Sequence, residues 1–231
     1  MSLLDKISPF ERKDLLIAWL VLGVAFTLAI NGGLTLVTNY DKITVEALLI
    51  TFVISLVTVG LAFVLHELAH KFTAMKFGYW AEFRKSTQML IIAVVVAAIT
   101  GIVFAAPGAT LINTAGREMT KKENGIISIA GPMINLILLI PFLIIMIIGF
   151  LMSPTNNIVL MTLPGFLFYL GMIGFQVNAM IAFFNMLPFG PLDGKKILRW
   201  NPVIFGVVIV ITLGLLYLAL FMPTLILSLF I

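Results

Sequence analysis

The sequence contains no cysteine and little charge. Of its 231 residues, 10% are Asp, Glu, Lys or Arg and 61% are hydrophobic. Without cysteine the chain forms no disulfide, no thiolate metal site and no cysteine nucleophile, so it does not indicate a redox compartment. A soluble domain needs far more surface charge, so this composition predicts an integral membrane protein. The net charge of +4 is explained by Lys and Arg beside membrane spans and requires no nucleic acid partner.

Six apolar segments approach or exceed the length of about 20 residues that a helix needs to cross a bilayer. They cover residues 15–38, 45–70, 88–106, 125–152, 159–187 and 202–222. Short polar connections, which we expect to be loops, separate them, and no soluble domain or repeat is visible. The sequence therefore predicts an all-α polytopic membrane protein with a single domain over residues 1–231.

The positions of Lys and Arg test whether all six segments cross, because these residues concentrate on the cytoplasmic side. If every segment crosses, the 14 Lys and Arg divide evenly between the two faces. If 88–106 enters and leaves on one side, 13 of the 14 share the face of the N-terminus. We therefore predict five spanning helices plus a re-entrant or partly inserted segment, with a cytoplasmic N-terminus; six spans are the alternative.

Both histidines of the chain lie in the pentad His66-Glu67-Leu68-Ala69-His70. Helix positions i and i+4 face the same way, so both imidazoles can reach one metal ion, with Glu67 beside them. A chance match of core histidines is the alternative, but such groups are costly in hydrocarbon unless paired or functional. The pentad predicts one zinc ion per chain, bound by His66 and His70, with Glu67 as the general base.

A catalytic zinc ion usually has three protein ligands, so a third must come from elsewhere. Asp193 is the best candidate because it follows segment 159–187, where prolines and glycines break the helix near the membrane edge. The other acids outside the pentad lie in charged loops, where we expect them to be solvated. A re-entrant 88–106 brings Asp193 to the same face as the histidines, which predicts that the active-site end is cytoplasmic.

At this point the motifs resemble those of the site-2 protease family of intramembrane zinc metalloproteases. The similarity lies in the pentad and in the run Asn185…Pro188…Leu192-Asp193-Gly194. Gly131-Pro132-Met133-Ile134-Asn135 is similar to that family's Gly-Pro-x-x-Asn helix start. One departure is Gly190, where many members have proline. The resemblance covers about residues 45–200 as a catalytic core, and it supports His66, His70 and Asp193 as zinc ligands.

The resemblance implies a metalloendopeptidase that hydrolyses peptide bonds in or near transmembrane helices of protein substrates within the lipid bilayer. Asn185 and Asn135 are amides in apolar helices, so they are candidates for binding the substrate backbone or the oxyanion. Helix–helix hydrogen bonds are the alternative for both. The sequence does not indicate the substrate or the oligomeric state.

Two other functions stay open. A CAAX-type membrane zinc protease shares the His-Glu-x-x-His helix but recruits a glutamate from a second helix, and no acid outside the pentad lies deep in a spanning segment. A non-enzymatic metal transporter or sensor requires further polar ligands along a path through the bilayer, where only scattered amides occur.

Overall fold

The structure is a computed structural model that describes residues 6–34, 44–103, 107–153 and 158–230. Five helices in these ranges are long and apolar enough to cross a membrane: α1 (Pro9–Ile30), α2 (Val45–Lys76), α4 (Lys121–Leu151), α5 (Leu163–Asn185) and α7 (Pro202–Phe230). Two shorter helices, α3 (Thr87–Thr100) and α6 (Asp193–Trp200), and two strands, β1 (Trp80–Lys85) and β2 (Gly108–Asn113), complete the described fold. The predicted all-α polytopic membrane architecture is confirmed.

The predicted starts of the spans agree with the helices to within four residues except for the first, while the last helix ends at Phe230, eight residues beyond its prediction. The sequence predicts residues 15–38, whereas α1 begins at Pro9 and ends at Ile30. Ser8 caps α1 by accepting a hydrogen bond from the backbone of Glu11, so the helix starts in the charged N-terminal stretch. Residues 35–38 of the predicted span lie outside the described part of the chain.

Helix α2 contains one π-helical turn, Gly60–Val64, immediately before the pentad. The Trp19 indole of α1 donates to the Leu56 carbonyl at 2.7 Å and packs over Gly60, where a Cβ would lie 2.2 Å from its Nε1. Glycine at 60 thus lets α1 approach this turn. Such π turns are frequent at functional sites, because they rotate the residues that follow and leave carbonyls free for other donors.

The segment predicted to be re-entrant begins and ends at the same small sheet. Strands β1 and β2 pair antiparallel, with Lys85 opposite Gly108, so the two ends of the segment are neighbours. Between them α3 rises about 21 Å along α1, and it ends at Gly101 in the left-handed region. A full span would separate Lys85 and Gly108 by the thickness of the bilayer. Residues 104–106 of the prediction lie outside the described ranges.

The small sheet is absent from the sequence-based prediction, which assigned loops to both of its strands. Its anchor is the N-terminal turn of α1, where the fully buried Glu11 forms an ion pair with Lys71 and accepts the Phe83 backbone N–H at 3.0 Å. Glu82 is also buried and bonds to Ser8 and Arg84. The expectation that these acids are solvated is therefore wrong: each is buried because it has a partner.

We predict that Lys85→Cys and Lys121→Cys, introduced singly into this cysteine-free chain, react from the same side of sealed, oriented vesicles. The reason is the pairing of β1 with β2, which returns the chain to its starting level before α4 begins. A membrane-impermeant thiol reagent measures the accessibility. Met161→Cys, between α4 and α5, is the control and should react from the opposite side. Opposite labelling of positions 85 and 121 would contradict the topology.

Candidate metal centre

Three side chains from two distant parts of the sequence converge at one end of the helical bundle. His66 and His70 lie near the end of α2, and Asp193 is the first residue of α6. The two Nε2 atoms are 3.0 Å apart, and Asp193 Oδ2 lies 3.6 Å from His66 Nε2 and 3.1 Å from His70 Nε2. A tetrahedral zinc ion about 2.1 Å from its ligands separates them by about 3.4 Å. The three predicted ligands thus have the spacing of one zinc site.

The outer nitrogens of both histidines are held by α4. His66 Nδ1–H donates to Asn135 Oδ1 at 2.6 Å, and His70 Nδ1–H donates to the Ile127 carbonyl at 2.8 Å. Both Nε2 atoms then present their lone pairs to the common point between them. This is the usual arrangement around zinc, where the partner of the second ring nitrogen fixes tautomer and orientation.

The space left by Gly131 is a second feature of the site that suits a metal ion. A Cβ at this position would lie 2.4 Å from His70 Nε2 and 2.5 Å from His66 Nε2, which is far inside van der Waals contact. The bare backbone of α4 therefore leaves space at the ligand atoms that any larger residue would fill. Ile127, Gly131 and Asn135 recur every four residues, so a single face of α4 supports the centre.

Asp193 reaches the histidines because the chain turns sharply after α5. Gly190 has φ +60°, in the left-handed region, and proline cannot adopt this value because its ring fixes φ at about −65°. The loop therefore differs in shape from one with proline at this position, yet it still delivers the carboxylate.

Glu67 lies beside the ligands but is not one of them. Its carboxylate lines the same cavity as His66 and His70, and its Oε2 accepts a hydrogen bond from the Thr110 hydroxyl at 2.9 Å. A carboxylate at the edge of a metal centre, facing a cavity, is placed as a general base requires. The role of Glu67 as the general base stays a prediction.

The two candidate amides have different surroundings. Asn185, the last residue of α5, lines the cavity, and its Nδ2 donates to the Ile181 carbonyl at 3.0 Å. Asn135 is fully buried behind His66, and its Nδ2 donates to the Ala62 carbonyl in the π turn and to Asn178 Oδ1. Asn135 thus makes the helix–helix hydrogen bonds that were the alternative. Contact of either amide with a substrate stays a prediction.

The Gly-Pro-x-x-Asn motif was expected at a helix start, and this expectation is wrong. Helix α4 begins at Lys121, where Thr120 and Glu123 form a capping box, so Pro132 lies inside it. The strong cap extends the helix N-terminally through polar residues. The motif therefore acts from the middle of the helix, facing the histidines.

A cavity of about 590 Å³ opens at the metal centre. Its polar end carries the three ligands and Glu67, and residues 108–112 of β2 form one wall. Away from the centre the lining is apolar, with contributions from α1, the π turn, the returning segment and α5: Leu22, Phe26, Phe63, Val103, Met180 and Phe184. The site thus faces a largely apolar cavity between the helices.

Thr110 and the Ile127 carbonyl were missed by the sequence analysis. The four-residue spacing of Ile127, Gly131 and Asn135 indicates that they share a helix face. That this face contacts the histidines becomes evident only in the folded structure. Thr110 could not be identified from the sequence, because its position depends on strand β2, which was not predicted.

We predict that Asn135→Leu lowers zinc affinity by a factor of about 10–100, the usual effect of losing such an outer hydrogen bond. The substitution keeps the number and branching of side-chain heavy atoms but releases His66 Nδ1. Competition with a zinc chelator measures the affinity. The control is Gln176→Leu, which removes an amide on α5 that bonds to the Ala219 carbonyl, away from the site. Unchanged affinity in Asn135→Leu would contradict this role.

The chain is 39% identical over 160 residues to a protein of Methanocaldococcus jannaschii named "Putative zinc metalloprotease". The match covers 69% of this chain and 76% of that protein. No protein-family model matches the chain, and no solved structure does. The identity and coverage of this match show that the chain belongs to the same protein family as that Methanocaldococcus jannaschii protein.

Proposed function

We propose that the protein is an intramembrane zinc metalloendopeptidase of the site-2 protease type, cutting peptide bonds in or near transmembrane helices. The observation that carries the proposal is the buried His66, His70 and Asp193 group, with Glu67 beside it, at the end of an apolar cavity between membrane helices. The name of the Methanocaldococcus jannaschii relative supports the metalloprotease class.

His66, His70 and Asp193 would hold the zinc ion, and their donor set of two imidazoles and one carboxylate suits it. When bound, zinc polarises the scissile carbonyl and makes water more acidic. Glu67 takes the proton from the attacking water and returns it to the leaving amine. The bonds from Asn135 and Ile127 keep the imidazoles facing inward throughout, so the chain supplies a centre that needs no rearrangement.

The walls of the cavity suit an extended, apolar substrate. A helical substrate protects its own amides by hydrogen bonds, so it must unwind before an amide can reach the metal. Strand β2 lies along the cavity and is paired on one edge, with β1, in the described sheet. Its other edge can pair with an unwound segment in the manner of β-strand addition. The apolar lining then favours hydrophobic side chains around the cut.

The active-site end faces the cytoplasm in this proposal. The N-terminal turn of α1 lies at the same end as the metal centre, because Glu11 pairs with Lys71, the neighbour of His70. With a re-entrant 88–106 segment, this end carries 13 of the 14 Lys and Arg. The positive-inside rule then sets the orientation.

The test uses purified protein in liposomes with two single-span test substrates. One carries a Gly-Pro pair at the membrane depth of the site, and the other has Leu-Leu in its place. We expect cleavage of the first and slow or no cleavage of the second, loss of cleavage with 1,10-phenanthroline, and recovery with Zn²⁺. Cleavage that survives complete metal removal would overturn the proposal.

The geometry disfavours the two alternatives. In a CAAX-type site a glutamate from a second helix completes the metal set, whereas Asp193 occupies that place among the described residues. A transporter needs a polar path across the bilayer, but beyond the metal centre the cavity is lined largely by Leu, Val, Phe and Met side chains.

A further inference from the structure

Thr110 touches the proposed general base directly. Its Oγ1 lies 2.9 Å from Glu67 Oε2 and 3.1 Å from the Glu67 backbone carbonyl, although the two residues are 43 positions apart. A hydroxyl carries one proton, so it shares that proton between the two oxygens or donates to one of them. The charged carboxylate is the stronger acceptor and the closer one, so Thr110 donates to Glu67 Oε2 from outside helix α2.

The position of Thr110 is fixed independently of α2. It lies at the middle of β2, opposite Phe83 of β1, and Phe83 is held by the buried Glu11. Threonine is β-branched, so its χ1 angle is restricted on a strand and its hydroxyl direction is well defined. The hydroxyl is therefore a fixed point against which a flexible Glu67 side chain can be oriented.

Glu67 needs such a support. Within the described ranges, Thr110 provides the hydrogen bond that its carboxylate receives, and the rest of the group faces the cavity. A glutamate has three side-chain torsions, and an unrestrained one spends most of its time away from the geometry that proton transfer requires. Engaging Oε2 leaves Oε1 free to take a proton from water.

We propose that Thr110 is a positioning residue that holds the Glu67 carboxylate toward the metal centre. The inference rests on the proposed function, because it assigns Thr110 to the same catalytic step. It also gives the β1–β2 sheet a role in catalysis as well as in forming the wall of the cavity.

The experiment measures how Thr110→Val and Thr110→Ser bind N-acetyl-leucine hydroxamate, with zinc content determined on the same samples. A hydroxamate bound to zinc gives its hydroxyl proton to the neighbouring base, so its affinity reports the position of Glu67. We expect wild-type zinc content in both variants. Affinity should fall about ten-fold in Thr110→Val, the scale of one hydrogen bond to a charged group, and remain near wild type in Thr110→Ser.

The matched control is Thr100→Val, which removes a hydroxyl on α3 that bonds to the Val96 carbonyl. A double-mutant cycle with Glu67→Ala separates positioning from a structural effect. If Thr110 acts through Glu67, Thr110→Val has no further effect in that background. An equal loss in both backgrounds, or no loss in either, would overturn the proposal. Thr110→Ala replaces Thr110→Val if the valine variant does not fold.

The same samples separate this inference from the proposed function. A wild-type protein that binds no zinc, or hydroxamate affinity that does not respond to Glu67→Ala, refutes the metalloprotease mechanism and the positioning role together. Zinc binding and a clear Glu67 effect, with Thr110→Val at wild-type affinity, refute the positioning role alone.

Discussion

Glu67→Gln is expected to retain zinc and lose most proteolysis. Glu67 is not among the three side chains that surround the metal position, so its replacement leaves His66, His70 and Asp193 in place. Glutamine has nearly the same shape and can still accept the Thr110 hydrogen bond, but it cannot take up a proton. Loss of a general base typically lowers the rate by a factor of about 10²–10⁴.

The measurement is cleavage of the Gly-Pro test substrate, with zinc content determined on the same preparation. Glu46→Gln is the matched control, since Glu46 is an exposed acid in the first turn of the same helix, at the end opposite the pentad. Its activity should equal that of the wild type. Cleavage by Glu67→Gln at near wild-type rate would mean that another group activates the water.

The membrane architecture was predictable because the thickness of the bilayer restricts the length and composition of a spanning helix. A spanning helix needs about 20 apolar residues, so composition alone locates α2, α4, α5 and the start of α7 closely. The start of α1 was not predictable in this way. It depends on Ser8 as a cap and on Glu11, whose burial is compensated by Lys71 and by the backbone of Phe83. A buried ion pair of this kind can be recognised only when the positions of both partners in the fold are known.

The three residues of the candidate metal centre were predictable for a different reason. His66 and His70 are the two histidines of the chain and share a helix face, while Asp193 was chosen because prolines and glycines end the preceding helix near the membrane edge. Their supports, by contrast, depend on details at the scale of single atoms. The Ile127 hydrogen bond comes from a backbone carbonyl, which every residue has, so residue type does not reveal it. Thr110 lies on strand β2, in a polar stretch that the sequence analysis assigned to a loop.

Gly131→Ala is expected to abolish zinc binding while the helices remain folded. Alanine favours a helix more than glycine does, so α4 itself gains stability. The added methyl, however, would lie 2.4 Å from His70 Nε2 and 2.5 Å from His66 Nε2. Both imidazoles are tied to α4 through Nδ1, so they cannot move away without losing their hydrogen bonds to Ile127 and Asn135.

Zinc content after purification and competition with a chelator measure the effect, and circular dichroism in detergent checks that the helices persist. Gly206→Ala in α7 is the control, because a Cβ there meets no atom within 4 Å, and it should bind zinc as the wild type does. Because the methyl occupies the space between the ligand atoms, a folded Gly131→Ala protein with full zinc affinity would place the metal elsewhere. A zinc-free but helical Gly131→Ala protein identifies the bare backbone of α4 as part of the metal centre.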